Sequence, residues 1–398
     1  MKIALCYESM MPNRGGCETY LADLARNLVH DHHEVHLFTT RYDAQAFPDA
    51  VMYHLLPCST GLRWMRPWQF AKACYQTLQQ HTFDVTVGFI KTWGQDVLMP
   101  QGGFHAATVE HNLQKNASSL IRGFMRLVQM VDPKQWSFRA LERRQLFDFP
   151  SLLVVPSKMV QRHAWEYYQL GDARVKVVHN AIDTERFPTQ DRLLIRSQMR
   201  DQYHLLPEDN VGLFVGHNYR LKGLLPLFHS IQQIPGDVNF RLLICGSEDY
   251  RRFERLAQRM KISERVRFLG FHPDVREAFF ASDFLIHPSF YDPCALVTME
   301  ALACGLPVIT TKLNGGSELL PPALASLTID TPHDHFMMAK NIIRLCQPAE
   351  RASLSRIARE AAKAWTFADH YRALLAIFEE VARAKRPTLP ISRPGLVS

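Results

Sequence analysis

The feature that most constrains this chain is a rhythm. Short β-branched or apolar runs alternate with helix-length amphipathic segments over almost its whole length. Ile3–Tyr7, Val35–Thr39, Val85–Ile90 and Leu152–Pro156 read as strands in the first part, and Leu21, Leu24, Ala25 and Leu28 recur at helical spacing between the first two. Val211–Val215, Arg241–Cys245, Val266–Leu269, Phe284–His287 and Val308–Thr311 continue the pattern. Near-continuous apolar strands joined by crossover helices are what a parallel sheet covered on both faces requires. At 398 residues the chain exceeds one such core, so the rhythm implies an α/β protein of two successive doubly wound units. The junction falls near Val175–Pro188, where a strand runs into a polar turn. Phe367–Ala384 is helical, and a Pro-rich basic tail follows it.

Charge and cysteine usage narrow the function classes. Lys and Arg number 46 against 39 acids, a net +7 that favours an anionic partner without choosing among nucleotide, nucleic acid and membrane. The eight cysteines form no CxxC pair, which argues against a zinc site or disulfide framework and for a reducing compartment. The N-terminal MKIALCYES reads as a first strand rather than a signal peptide. No window approaches the ~20 apolar residues of a spanning helix. A cytosolic protein, or one attached to a membrane from that side, is expected.

One segment breaks the rhythm. Lys115–Arg144 carries seven Lys/Arg (115, 122, 126, 134, 139, 143 and 144) against Asp132 and Glu142. Leu120, Ile121, Phe124, Met125, Leu127, Met130, Trp136, Phe138 and Leu141 are interleaved with them. Basic residues beside apolar stripes are the composition of an interfacial amphipathic helix. The plainer reading is a solvated helix pair.

Three loops carry chemistry. Asn13-Arg14-Gly15-Gly16 precedes a helix, so paired glycines can bring backbone N–H groups and a helix N-terminus to an anion. It is not GxGxxG, which occurs nowhere, and a tight turn would look the same. Gly216-His217-Asn218-Tyr219-Arg220-Leu221-Lys222-Gly223 places two cations at the carboxyl end of a parallel strand, where doubly wound sheets bind ligands. Such charge suits a diphosphate leaving group. The strongest signal runs from His287 to Ile309. Asp292 sits in a loop after a strand, Cys294, Ala295 and Leu296 open a helix whose N–H groups can meet phosphate oxygens, and Glu300 lies about two turns along, able to accept ribose hydroxyls.

On these residues the chain resembles the retaining glycosyltransferases of family 4, which have the GT-B fold of two Rossmann-like domains with an interdomain cleft. The family's Glu-x7-Glu motif falls on Asp292 and Glu300, its Gly-Gly loop on Gly15-Gly16, and its phosphate-binding basic pair on Arg220 and Lys222. VHNAIDTERF is similar to the family's junction signature, with Ala181 for glycine. VTVGFIKTWGQDV, GHNYRLKG and the basic insert look like bacterial lipopolysaccharide-core glucosyltransferases. Asp292 replaces a Glu of the pattern, and Gly102 replaces an acid.

The resemblance implies an acceptor domain over 1–178, a donor domain over 179–366, and a helix near 367–385 returning to the first. It implies transfer of a hexose from a nucleotide sugar such as UDP-glucose to a membrane-embedded glycolipid, with no metal or other cofactor and no nucleic acid. His105 would reach the donor sugar, Asp292 the sugar hydroxyls, Glu300 the ribose, and Arg220 and Lys222 the diphosphate. Gly15, Gly16, Cys294, Ala295 and Leu296 would complete the donor site. Arg122, Phe124, Arg126, Trp136, Arg143 and Arg144 would contact an anionic inner membrane face. The competing classes are another GT-B enzyme, such as a sugar-nucleotide epimerase or a phosphorylase, and a non-catalytic module that binds anionic lipid or nucleic acid. The histidines of His30–His36 are expected in a helix-to-strand turn, not at a metal.

Overall fold

The rhythm becomes two parallel sheets. A computed structural model of the chain describes residues 1–11, 15–58, 64–89, 91–116, 118–187, 192–246, 250–272 and 274–385. Asn13 and Arg14 of the first loop, Ile90, Pro188 and the tail from residue 386 lie outside these. The first sheet holds β1 (Lys2–Cys6), β2 (Glu34–Thr39), β3 (Met52–Leu55), β4 (Val85–Gly88), β5 (Val97–Leu98), β6 (Leu152–Val155) and β7 (Val175–Val177) in the order 3-2-1-4-5-6-7. The second holds β8 (Asn210–Val215), β9 (Phe240–Cys245), β10 (Val266–Gly270), β11 (Phe284–His287), β12 (Val308–Thr311) and β13 (Thr328–Ile329) in the order 10-9-8-11-12-13.

All pairings within both sheets are parallel, and the strand order reverses beside β1 and again beside β8. The crevice beyond the strand carboxyl ends at such a switch point is the ligand site of open α/β sheets. The Gly15-Gly16 loop follows β1, and the loops 216–223 and 288–295 follow β8 and β11.

Helices cover both sheets. The terminal helix Phe367–Lys385 lays Phe367, Tyr371, Leu374, Ile377 and Phe378 into the same core as Ile3, Leu5, Val35 and Val85 of the first sheet. The chain therefore crosses between domains twice. The crossings are tied together where the His179 carbonyl accepts from Trp365 Nε1 at 3.0 Å and from His370 Nδ1 at 2.7 Å.

The two domains interlock beside the cleft. Tyr291, from the second domain, enters an apolar cluster of the first with Phe104, Ala107, Met159 and Val160. Its ring stacks on His111, 4.9 Å between centroids. Gly103 adopts φ +70°, and a Cβ there would stand 2.0 Å from the Tyr291 hydroxyl. Both the left-handed backbone and the close approach require glycine. The Glu318 carboxylate reaches across to accept from the N–H groups of Lys158 and Met159, both at 2.8 Å, at the start of helix Lys158–Tyr168. A carboxylate at a helix N-terminus is favourably placed for both hydrogen bonding and dipole.

Candidate active site

The loop after β11 holds the most constrained carboxylate of the site. Lys222 Nζ donates to Asp292 Oδ2, and His287 Nε2, at the end of β11, lies 3.2 Å from the same oxygen. Burial opposes ionisation of Asp292, but the Lys222 ammonium and the His287 hydrogen bond outweigh it and hold the carboxyl well below the usual range. Burial likewise keeps His287 below the ordinary imidazole range, so it donates as a neutral ring. The sequence reading gave Lys222 to a diphosphate and Asp292 to a sugar. Instead the two charges neutralise each other, because residues 70 apart in the chain are brought together at neighbouring strand ends. Asp292 Oδ1 accepts nothing from the described residues and is the oxygen left for a hydroxyl.

The helix opening differs from expectation as well. Ala295 N–H is not open to phosphate: it donates to Asn314 Oδ1 at 3.1 Å. Asn314 is fully buried, and its side chain also accepts from Gly316 N–H at 2.9 Å and donates to Thr298 and Thr310 hydroxyls, each at 3.0 Å. All four hydrogen-bonding positions of the amide are used. Gly315 must be glycine, since a Cβ would stand 1.9 Å from the Pro293 carbonyl oxygen. The helix thus begins at Leu296, and Glu300 stands just over one turn in, not two. Leu296 and Val297 supply the N–H groups that a first turn leaves without helical partners.

Across the cleft, Gly16 starts helix Gly16–His30, and a Cβ on it would come 3.2 Å from Leu296 Cδ1. Two helix N-termini, one from each domain, therefore approach each other at the two switch points. Glu300, on the same short helix, has no hydrogen-bond or ion-pair partner among the described residues. Burial raises its pKa to about 7, with Arg186 pulling weakly the other way. Arg186 is itself engaged with Asp23, 2.8 Å away.

His105 starts helix His105–Leu113. Its backbone N–H donates to the buried Glu142 at 2.6 Å, and its Nε2 lies 2.9 Å from Gln135 Oε1 on the insert. Burial leads in lowering its pKa to about 4, helped by Lys91, Arg139 and Lys134, so the ring is neutral near pH 7. His105, Lys115 and Arg220 line one cavity of about 310 Å³ between the first domain, the insert and the second domain. Cys294 is buried, and burial pushes its thiol up, so it packs and does not react.

The insert folds as helices Ser119–Val131 and Pro133–Arg143 followed by a π-helical turn, Arg144–Asp148. No residue of the first helix is buried; Leu120 is 84% exposed, Phe124 68%, Leu127 64% and Val131 76%. These four share one helix face. Trp136 is exposed beside them, with its Nε1 donating to the Met130 carbonyl. The arginines are less available than their charge suggested. Arg126 pairs with Glu110, Arg122 donates to the Asn116 carbonyl, Arg143 lies over Phe147, and Arg144 stacks on Trp93 and Phe149. Their long side chains satisfy nearby acceptors and rings first.

His287, Asn314, Gln135 and Glu318 were not given roles from sequence. A signal existed for Asn314 alone: Asn followed by two glycines after a strand marks a turn held by its side chain. His36, from the histidine-rich turn, lies on β2 bonded to His54 at 2.8 Å and Glu34 at 2.9 Å. Among the described residues no group of three or more His, Cys, Asp or Glu side chains could hold a metal.

Residues 14–186 match the family described as Glycosyltransferase Family 4, and residues 196–364 match Glycosyl transferases group 1. The chain is a GT-B glycosyltransferase. The lipopolysaccharide glucosyltransferase WaaG of Escherichia coli (strain K12) is 24% identical over 339 residues, covering 83% of this chain and 86% of that protein. D-inositol 3-phosphate glycosyltransferase of Mycobacterium marinum (strain ATCC BAA-535 / M) is 29% identical over 261 residues, 62% of this chain and 54% of its own. The crystal structure of WaaG, a glycosyltransferase involved in lipopolysaccharide biosynthesis, superposes with TM-score 0.78 at 22% identity, covering 96% and 99% of the two chains. A structure of Anabaena Alr3699/HepE in complex with UDP-glucose gives TM-score 0.70 at 20% identity, over 96% and 100%. The facing helix N-termini of this glycosyltransferase lie at the switch points that such folds use for ligands.

Proposed function

We propose that this glycosyltransferase moves a hexose, glucose from UDP-glucose, onto a membrane-held glycolipid with retention of configuration and without a metal. The observation that carries the reading is the meeting of Gly16 and Leu296, which brings the first residues of two helices, one from each domain, together between the domains. That arrangement suits a diphosphate. Arg220, which has no partner among the described residues and lines the cavity with His105, is free to reach the diphosphate, and Lys222 can exchange Asp292 for a phosphate oxygen. Freed in this way, Asp292 accepts a sugar hydroxyl, while Glu300 faces the ribose.

The anomeric carbon–oxygen bond to the diphosphate breaks as the acceptor oxygen adds on the same face, and the acceptor proton passes to the departing diphosphate. The cations at Arg220 and Lys222 stabilise the charge developing there. His105, neutral and held by Gln135, offers a hydrogen bond to the donor sugar. Supporting the donor and acceptor, the E. coli relative is named a lipopolysaccharide glucosyltransferase, and the Anabaena neighbour was solved with UDP-glucose. The exposed apolar face of Ser119–Val131 supports seating at a membrane from the cytoplasmic side. No helix among the described residues is long and apolar enough to cross one.

The test is a panel of nucleotide sugars, with and without glycolipid acceptor, read as nucleoside diphosphate release and product anomer by NMR, in excess chelator. Inverted product, a strict divalent-metal requirement, or no acceptor-stimulated release would each defeat the reading.

A further inference from the structure

The cavity of about 310 Å³ holds more positive charge than donor binding uses: His105 and Arg220 are shared with the donor, Lys115 and Lys134 are not. Three cations line it: Lys115 from the end of the first-domain helix, Lys134 from the insert, and Arg220 from the second domain. Asn112, Asn116, Gln129 and Gln135 add amide groups, and no carboxylate contributes to the lining. The nearby acids are committed elsewhere. Glu142 accepts from His105 N–H, Ala106 N–H and the Tyr168 hydroxyl, and Glu110 is paired with Arg126. A fourth cation, Lys91, lies 4.2 Å over the Phe138 ring that closes one side of the cavity.

Like charges gathered in a half-buried space repel one another, and they cost stability unless an anion joins them. Burial and then Arg220 lower the Lys115 pKa, and burial lowers that of Lys91.

We infer that this cavity receives an anionic group, a phosphate or a carboxylate, carried by the acceptor glycan next to the hydroxyl that is glycosylated. The place of this site in the reaction rests on the glycosyltransfer reading; its charge chemistry does not. Position sets it beside the donor: His105 and Arg220 line the side shared with the donor, while Lys115 and Lys134 line it from the first domain and the insert. The amides fit the remaining hydroxyls of the same sugar, each able to donate and accept. Charge-assisted hydrogen bonds from lysine and arginine would then fix the acceptor's register.

The experiment is calorimetric titration of the full chain saturated with UDP, using glucose 6-phosphate, glucuronate and methyl glucoside as probes. One of the two anionic sugars should bind at least tenfold more tightly than methyl glucoside, and which one does so identifies the anion. The double variant Lys115→Gln, Lys134→Gln should lose at least tenfold of that affinity while its UDP affinity stays within threefold of wild type. Asn112→Asp, which adds a carboxylate to the lining, should lose the anionic sugar too, with an unchanged melting temperature as the check on folding. Equal binding of charged and neutral sugars, no effect of the charge variants, or displacement of UDP by the anionic sugar would overturn the inference. Failure of UDP to bind at all defeats the donor reading instead, and the same sugar titrations without UDP still decide this one.

Discussion

Glu300 offers the most direct link between burial and donor binding. Its carboxyl is pushed to about 7 by burial, with no cation in contact among the described residues. The unfolded value lies near 4.3, so the shift corresponds to about 4 kcal/mol between the two protonation states. The sign follows from the raised folded value. The protonated side chain is the one the fold favours, so this stability is complete below about pH 4 and is lost as pH climbs through 7. Donor binding runs the other way. A carboxylate accepting ribose hydroxyls must be ionised, and with a pKa of about 7 roughly a tenth is ionised at pH 6 and roughly nine-tenths at pH 8. UDP-glucose should therefore bind about tenfold more tightly at pH 8 than at pH 6, about 1.4 kcal/mol. The sugar nucleotide is the right ligand because its phosphates do not titrate in this range, unlike the terminal phosphate of free UDP. Calorimetry in buffers of different ionisation enthalpy should register proton release near pH 6.5. Glu300→Gln should flatten both the affinity and the stability profiles. A pH-independent UDP-glucose affinity in the wild type, or a profile that persists in Glu300→Gln, would refute the assignment.

Lys222→Met strips the buried Asp292 of its cation, and should cost about 3 kcal/mol of stability and at least a hundredfold in turnover; a melting temperature and rate close to wild type would count against the pairing. Asn314→Ala leaves Ala295 N–H, Gly316 N–H and two threonine hydroxyls without their partner, so denaturant unfolding should show a loss of about 2–4 kcal/mol. Asn314→Asp keeps the two acceptor bonds and should recover part of it. Replacing Leu120, Phe124 and Leu127 by Ser should abolish co-sedimentation with anionic vesicles, whereas Arg144→Ser, which loses stacking on Trp93, should matter little to it. Equal losses from the two sets would mean that charge, not the apolar face, drives the contact.

The two parallel sheets were legible in the sequence because burial on both faces forces apolar runs of strand length, and the crossovers between them need helices. The places of the three candidate loops were legible for the same reason: their glycines, cations and Asp292 sit where strands end. The start of helix Leu296–Ala303 was less so, because an asparagine 19 residues further on takes the N–H group that a local reading leaves open.

Spacing along a chain encodes which face a residue occupies; it does not encode which distant side chain it meets there. That Lys222 and His287 converge on Asp292, that Glu318 caps a helix 160 residues earlier, and that Tyr291 seats in the other domain are decided by how two sheets and two crossings pack. The insert divides along this line. Its charge and apolar content were fixed by composition, but only the folded chain turns Arg126 and Arg144 toward Glu110 and Trp93 and leaves Leu120, Phe124 and Leu127 outside. Long basic side chains take the nearest acceptor or ring, and where that partner lies is a property of the tertiary structure.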